Sequence, residues 1–120
     1  MSNLVTNVGV VGTDVSGVGT VRRGSAAAGY GTDTAIFAYG YTGSAYTAVS
    51  NLVSNVGVVA SDVSGVGTIR QALAAARYGG DKAVFAYGSP RTSLKNLVNS
   101  SGVVAADVTG VGTARENLAA

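Results

Sequence analysis

Three arginines, Arg22, Arg70 and Arg115, follow three threonines, Thr20, Thr68 and Thr113, at the same spacing, and they are the strongest recurring charges in the chain. A guanidinium is a planar fork of donors that matches carboxylate and phosphate oxygens in bidentate geometry. Arrayed around a common axis, the three would form an anion site; alternatively, each pairs with a recurring Asp or with backbone carbonyls between units. The acids recur too, Asp14, Asp62 and Asp107 at one repeat position and Asp33 and Asp81 at another. Carboxylates can bind Ca²⁺ or act as acids. A Ca²⁺ loop, however, needs several oxygen ligands close together, and Asp14-Val15-Ser16-Gly17 supplies too few. No pair of acids sits in a setting that marks a glycosidase. Turn capping is the expected role, because an Asp side chain readily accepts hydrogen bonds from backbone N–H groups at tight turns.

The sequence contains no Cys and no His, which removes thiolate metal sites, disulfides and the commonest general base. Gly17-Val18-Gly19 and Gly65-Val66-Gly67 open like a dinucleotide fingerprint, but no third Gly follows at the required spacing, and no Gly-Lys-Ser or Gly-Lys-Thr phosphate loop occurs. They read as turns. Asn99-Ser100-Ser101 matches a glycosylation acceptor, incidental without an export signal. No catalytic residue, cofactor or metal is expected. The loop Tyr41-Thr42-Gly43-Ser44-Ala45-Tyr46 is replaced in the next copy by Ser89-Pro90-Arg91-Thr92-Ser93, and such variable loops commonly hold ligand contacts. Tyr41, Tyr46 and Arg91 would offer aromatic faces and a donor fork to a sugar ring or a peptide. Together with Arg22, Arg70 and Arg115 they are the candidate ligand-binding residues.

These residues are carried by a repeat. The phrase from Asn3 to Thr20 returns from Asn51 to Thr68 and from Asn96 to Thr113, at intervals of 48 and then 45 residues. Periods of that length admit one small antiparallel sheet per repeat. With 47% apolar and 12% charged residues the chain is composed to pack. Its apolar content is mostly Val and Ala with 2 Phe and no Trp, which favours thin, closely stacked layers. Eighteen Gly and one Pro, Pro90, argue for many tight turns. The net charge of +2 is too small to imply a nucleic-acid surface, and no apolar run reaches the length of about 18 residues needed to span a membrane.

Four strands per repeat are expected. In one copy they are Ser25 to Gly29, Ala35 to Tyr39, Tyr46 to Val53 and Val58 to Val63; in the next, Leu73 to Arg77, Ala83 to Gly88, Leu94 to Val98 and Val103 to Val108. Arg70 to Arg77 is composed of helix formers, so a short helix competes with a strand there. The corresponding Arg22 to Gly29 contains two glycines that weaken a helix, which tips the reading to strand.

Units of this length, with an Arg just before the first strand and Phe-Ala-Tyr-Gly closing the second at Phe37 to Gly40 and Phe85 to Gly88, resemble kelch-like blades of a β-propeller. The wording of the repeat is also similar to that of repeat proteins of tailed bacteriophages. The resemblance implies an all-β, propeller-like domain spanning residues 1–120, divided into a partial blade (1–18), two repeats (19–66 and 67–112) and a second partial blade (113–120). It also implies a virion or extracellular surface setting. The partial blades suggest closure by self-association, a dimer first and a trimer second, with the 113–120 tail of one chain joining the opening segment of the next. The resulting expectation is a non-enzymatic oligomeric propeller presenting loops to a glycan or surface protein. The alternatives are an enzyme acting on polysaccharide or an anionic ligand, using Arg22 or Arg70 with Asp33 or Asp81, and a fragment of a longer array.

Overall fold

Ala74–Tyr78 settles as a strand because it is one leg of a hairpin, pairing with Lys82–Ala86 across a tight turn at Gly79 and Gly80. Its counterpart Ala26–Tyr30 pairs in the same register with Thr34–Tyr41. In the computed structural model, which describes residues 1–120, one antiparallel sheet holds β1 (Ala26–Tyr30), β2 (Thr34–Tyr41) and β3 (Tyr46–Val53). A second sheet holds β4 (Ala74–Tyr78), β5 (Lys82–Ala86) and β6 (Lys95–Val98) in the same order. No helix is long and apolar enough to cross a membrane.

Strand alternation decides what each face buries. In the first sheet Ala26, Ala28, Ile36, Ala38, Ser50 and Leu52 share one face by register. In the second, Ala75, Ala83, Phe85, Asn96 and Val98 share one face. The single core lies between these two faces, with Ile36, Ala38, Ala83, Phe85 and Val98 all fully buried at 0% exposure. Fully burying a side chain the size of Ile36 or Phe85 contributes about 1.5–3 kcal/mol. Small Ala residues in the outer strands let the sheets approach closely, as expected for a chain without Trp.

Tyr39 closes this core at its end. Its ring meets Phe85 edge-on at 5.4 Å, and the Arg70 guanidinium lies 4.2 Å from its centroid. Its backbone is left-handed (φ 64°), as is that of Tyr87, and the glycines that follow, Gly40 and Gly88, sit at φ 122°. A Cβ on Gly40 would come within 2.7 Å of the Arg23 carbonyl, so the close approach as well as the dihedral requires glycine there.

The propeller does not form. Each repeat supplies three regular strands where four were expected, and no sheet closes or curls into a ring. The fourth segment forms no regular strand beside the third and pairs with it in isolated bridges, Ser50↔Val63 and Val53↔Val59 in one repeat, Lys95↔Val108 and Val98↔Val104 in the next. The register steps by one residue between the bridges, and at that step the Asn51 side-chain amide, not a backbone N–H, donates to the Ala60 carbonyl. A side chain inserted into the ladder breaks the strand. The opening segment behaves likewise, with only Ser2↔Val15 and Val5↔Val11.

Candidate functional site

The recurring polar residues converge in a cluster that ties the start of each repeat to its last two segments. Asn51 is fully buried and lies opposite Phe37 on β3. Its Nδ2 donates to the Ala60 carbonyl (3.1 Å) and to Asp62 Oδ1 (2.8 Å), while its Oδ1 accepts from Arg22 Nη2 at 2.6 Å. The Asp62 carboxylate also accepts from the Thr20 backbone N–H at 3.0–3.1 Å and from Thr20 Oγ1 at 2.6 Å. Arg22 completes the circuit by donating from Nε to the Tyr39 carbonyl (2.9 Å) and from Nη1 to the Thr20 carbonyl (3.1 Å). Asn96, Asp107, Thr68 and Arg70 repeat the arrangement. Arg70 donates to the carbonyls of Tyr87 (2.8 Å) and Thr68 (2.9 Å) and to Asn96 Oδ1 (2.6 Å).

Glycine makes room for this latch. Gly19 and Gly67 have φ of +82° and +81°, and a Cβ on either would overlap the carboxylate and amide of the latch. The second glycine of each Gly-Val-Gly phrase is therefore a turn residue that admits an Asp side chain.

The electrostatics follow from the bonds. Hydrogen bonds from Thr20 and then Asn51 hold the Asp62 carboxyl below the ordinary carboxylate range, against partial desolvation. Burial pushes Asp107 upward, but the bonds from Thr68 and Asn96 outweigh it and the net displacement is downward. Burial lowers the Arg22 pKa and Asp62 opposes it, leaving the guanidinium charged at neutral pH.

Of the six ligand-binding candidates, Tyr41 and Tyr46 come together as a cross-strand pair, their centroids 5.4 Å apart. Arg91 instead forms an exposed ion pair with Glu116 at 3.3 Å. Arg22 and Arg70 occupy separate latches in successive repeats, and Arg115 lies 4.3 Å from the centroid of Tyr87. Asp33 accepts from Asn55 at 2.9 Å, and Asp81 pairs with neighbouring Lys82 at 2.7 Å. Sequence reasoning singled out the Arg and Asp positions but passed over Asn51, Asn96, Thr20 and Thr68 as site residues. The constant spacing of Asn, Asp, Thr and Arg at 3, 14, 20 and 22, then 51, 62, 68 and 70, then 96, 107, 113 and 115 was the available signal.

Neither a protein-family model nor a curated protein sequence matches this chain. The kelch-like and phage resemblance therefore has no support beyond the repeat itself, and the two-sheet fold overturns it. The expectation of an oligomeric propeller presenting loops to a glycan or protein falls with it, since there is no ring on which to mount the loops.

Proposed function

We propose that this chain is a non-enzymatic structural module in which the Asn, Asp, Thr and Arg positions hold successive segments in register. The supporting observation is that Arg70, at 0% exposure, directs Nε, Nη1 and Nη2 at three acceptors of its own repeat. Arg22 repeats all three bonds. An anion could reach the enclosed Arg70 guanidinium only by displacing bonds that hold the fold, and charge-assisted bonds of this kind are each worth about 1.5–3 kcal/mol.

Thermal melting with added inorganic phosphate, against KCl of matched ionic strength, tests the reading. The expected result is equal Tm in both series. A saturable phosphate-dependent rise in Tm that disappears in Arg22→Gln would mark an anion site and overturn it.

A further inference from the structure

Each latch has two halves, a donor half (Thr and Arg) and an acceptor half (Asn and Asp), and residues 1–120 present one open half of each kind. Asn3 and Asp14 form an acceptor half, bonded to each other and to the Gly12 carbonyl, that no Thr or Arg of residues 1–120 meets. Thr113 and Arg115 form a donor half in which the Arg115 guanidinium meets Tyr87 in place of an Asn. We propose that the two halves join between copies, so that the chain associates head to tail with a second copy of itself through Thr113 and Arg115 of one and Asn3 and Asp14 of the next. The proposal rests on the reading of these residues as a structural latch.

The acceptor half already holds the latched geometry, and the donor half holds its surroundings, with Arg115 Nη2 resting on the Tyr87 hydroxyl at 2.7 Å in place of an Asn. In the acceptor half Asn3 Nδ2 donates to the Gly12 carbonyl at 3.2 Å and to Asp14 Oδ1 at 2.8 Å, reproducing the bonds of Asn51 and Asn96. In the donor half the Tyr87 hydroxyl donates to the Val111 carbonyl at 3.3 Å, as that of Tyr39 does to Val66 at 3.1 Å. The Gly88 N–H donates to the Arg115 carbonyl as Gly40 does to Arg70, at 3.0 and 2.8 Å. Arg115 stacks on Tyr87 as Arg70 stacks on Tyr39, at 4.3 and 4.2 Å. The space differs: a Cβ on Gly19 or Gly67 would strike an Asp, whereas one on Gly112 (φ +91°) would meet nothing nearer than the Tyr87 hydroxyl at 3.8 Å. That opening is where the carboxylate sits in the completed latches. Asn3, Asp14, Thr113 and Arg115 are all exposed.

The sheet faces match as the latches do. The core joins two unlike faces, one carrying Ile36 and Ala38, the other Ala83 and Phe85. The outer face of the second sheet carries Val84 and Ala86, repeat images of Ile36 and Ala38, and the outer face of the first carries Ala35 and Phe37, images of Ala83 and Phe85. All four are only half-buried. A cavity of about 600 Å³ separates Phe37 from the opening segment, and another of about 240 Å³ lies between Val84, Ala86 and Leu118 to Ala120. When one copy's 113–120 meets the next copy's 2–15, a single joined unit covers both faces. An unlike-face contact of this kind propagates from copy to copy.

Light scattering behind size exclusion over a dilution series, with sedimentation, reads the association. Wild type is expected to exceed the 11.8 kDa of one chain at high concentration and to fall towards it on dilution. Asp14→Ala and Arg115→Ala should each weaken association about 10- to 100-fold, the effect of losing charge-assisted bonds, while their melts at low concentration match wild type. Mixing the two variants is decisive, because Asp14→Ala keeps its donor half and Arg115→Ala keeps its acceptor half. The mixture should give a species of two chains and nothing larger. A wild type that stays at 11.8 kDa at every concentration, or variants that associate as wild type does, would overturn the proposal. The structural reading stands or falls separately, on the melts of the completed latches.

Discussion

Substituting Asn by Ala at the three equivalent positions 3, 51 and 96 should give three different costs, because the latches around them differ in completeness. Asn96→Ala removes the acceptor 2.6 Å from Nη2 of fully buried Arg70 and the donor 3.0 Å from the Ala105 carbonyl. Losing a bond to a buried cation costs about 1.5–3 kcal/mol and orphaning a carbonyl about 1 kcal/mol more, so about 3–4 kcal/mol is expected. For a domain of this size that is about 10–15 °C in Tm and a large part of a total stability of about 5–15 kcal/mol. Asn51→Ala should cost about 2 kcal/mol, because half-buried Arg22 can recruit water in place of the lost amide. Asn3→Ala breaks only exposed bonds and should cost less than about 1 kcal/mol. Urea and thermal unfolding followed by circular dichroism at low protein concentration measure all three. Equal costs at the three positions, or an Asn96→Ala variant within about 1 kcal/mol of wild type, would refute the assignment of stability to the completed latch.

Acid should act on the same clusters. Asp62 and Asp107 have folded pKa values below their unfolded ones, so their stabilisation is present above about pH 4 and is lost as pH falls through the folded values. A double Asp62→Asn, Asp107→Asn variant should therefore start less stable at pH 7 and lose less on acidification, and an acid profile parallel to wild type would count against the mechanism. Tyr39→Gly relieves a left-handed tyrosine, worth about 1 kcal/mol, but empties a fully buried site whose packing is worth about 3–5 kcal/mol, so it should destabilise by about 2–4 kcal/mol. Tyr87→Gly, at the same dihedral but only half-buried, should fall within about 1 kcal/mol of wild type, and a similar gain in stability in both would show that strain, not packing, governs the site.

The hairpins were legible because Ala-rich and Phe-Ala-Tyr runs separated by Gly-containing turns carry local signals that tertiary structure has no reason to override. Tyr46–Val53 was read to the residue. The fourth segment was misread because Val58 to Val63 has the β-branched composition of a strand, while what interrupts it is a residue seven positions upstream, Asn51, whose amide occupies the ladder. Composition cannot show a side chain taking the place of a backbone donor. The ring was inferred from the period, the Arg before each first strand and the Phe-Ala-Tyr-Gly close of each second, and these fix the size and start of a unit without fixing the rotation between units. The latch was half legible: charged Arg and Asp draw notice, but neutral Asn between them does not.

That neutral residue explains how a fully buried arginine is tolerated. Taking a guanidinium and a carboxylate out of water together carries a desolvation cost that often exceeds their attraction. Here the carboxylate remains at the rim, where Asp62 and Asp107 cap the Thr20 and Thr68 N–H groups, and only the guanidinium of Arg70 is fully enclosed. Asn96 relays between them, its Oδ1 accepting from Arg70 at 2.6 Å and its Nδ2 donating to Asp107 at 2.9 Å, so each charge polarises an amide whose dipole suits both. The amide also reaches the Ala105 carbonyl, which joins the cation, the anion and the broken fourth strand in one network. A carboxylate in place of Asn96 would face Asp107 with like charge, and an apolar residue would leave Arg70 with an unmatched donor. The same interruption that prevents a regular fourth strand therefore supplies the acceptor that the buried arginine at the start of the repeat needs.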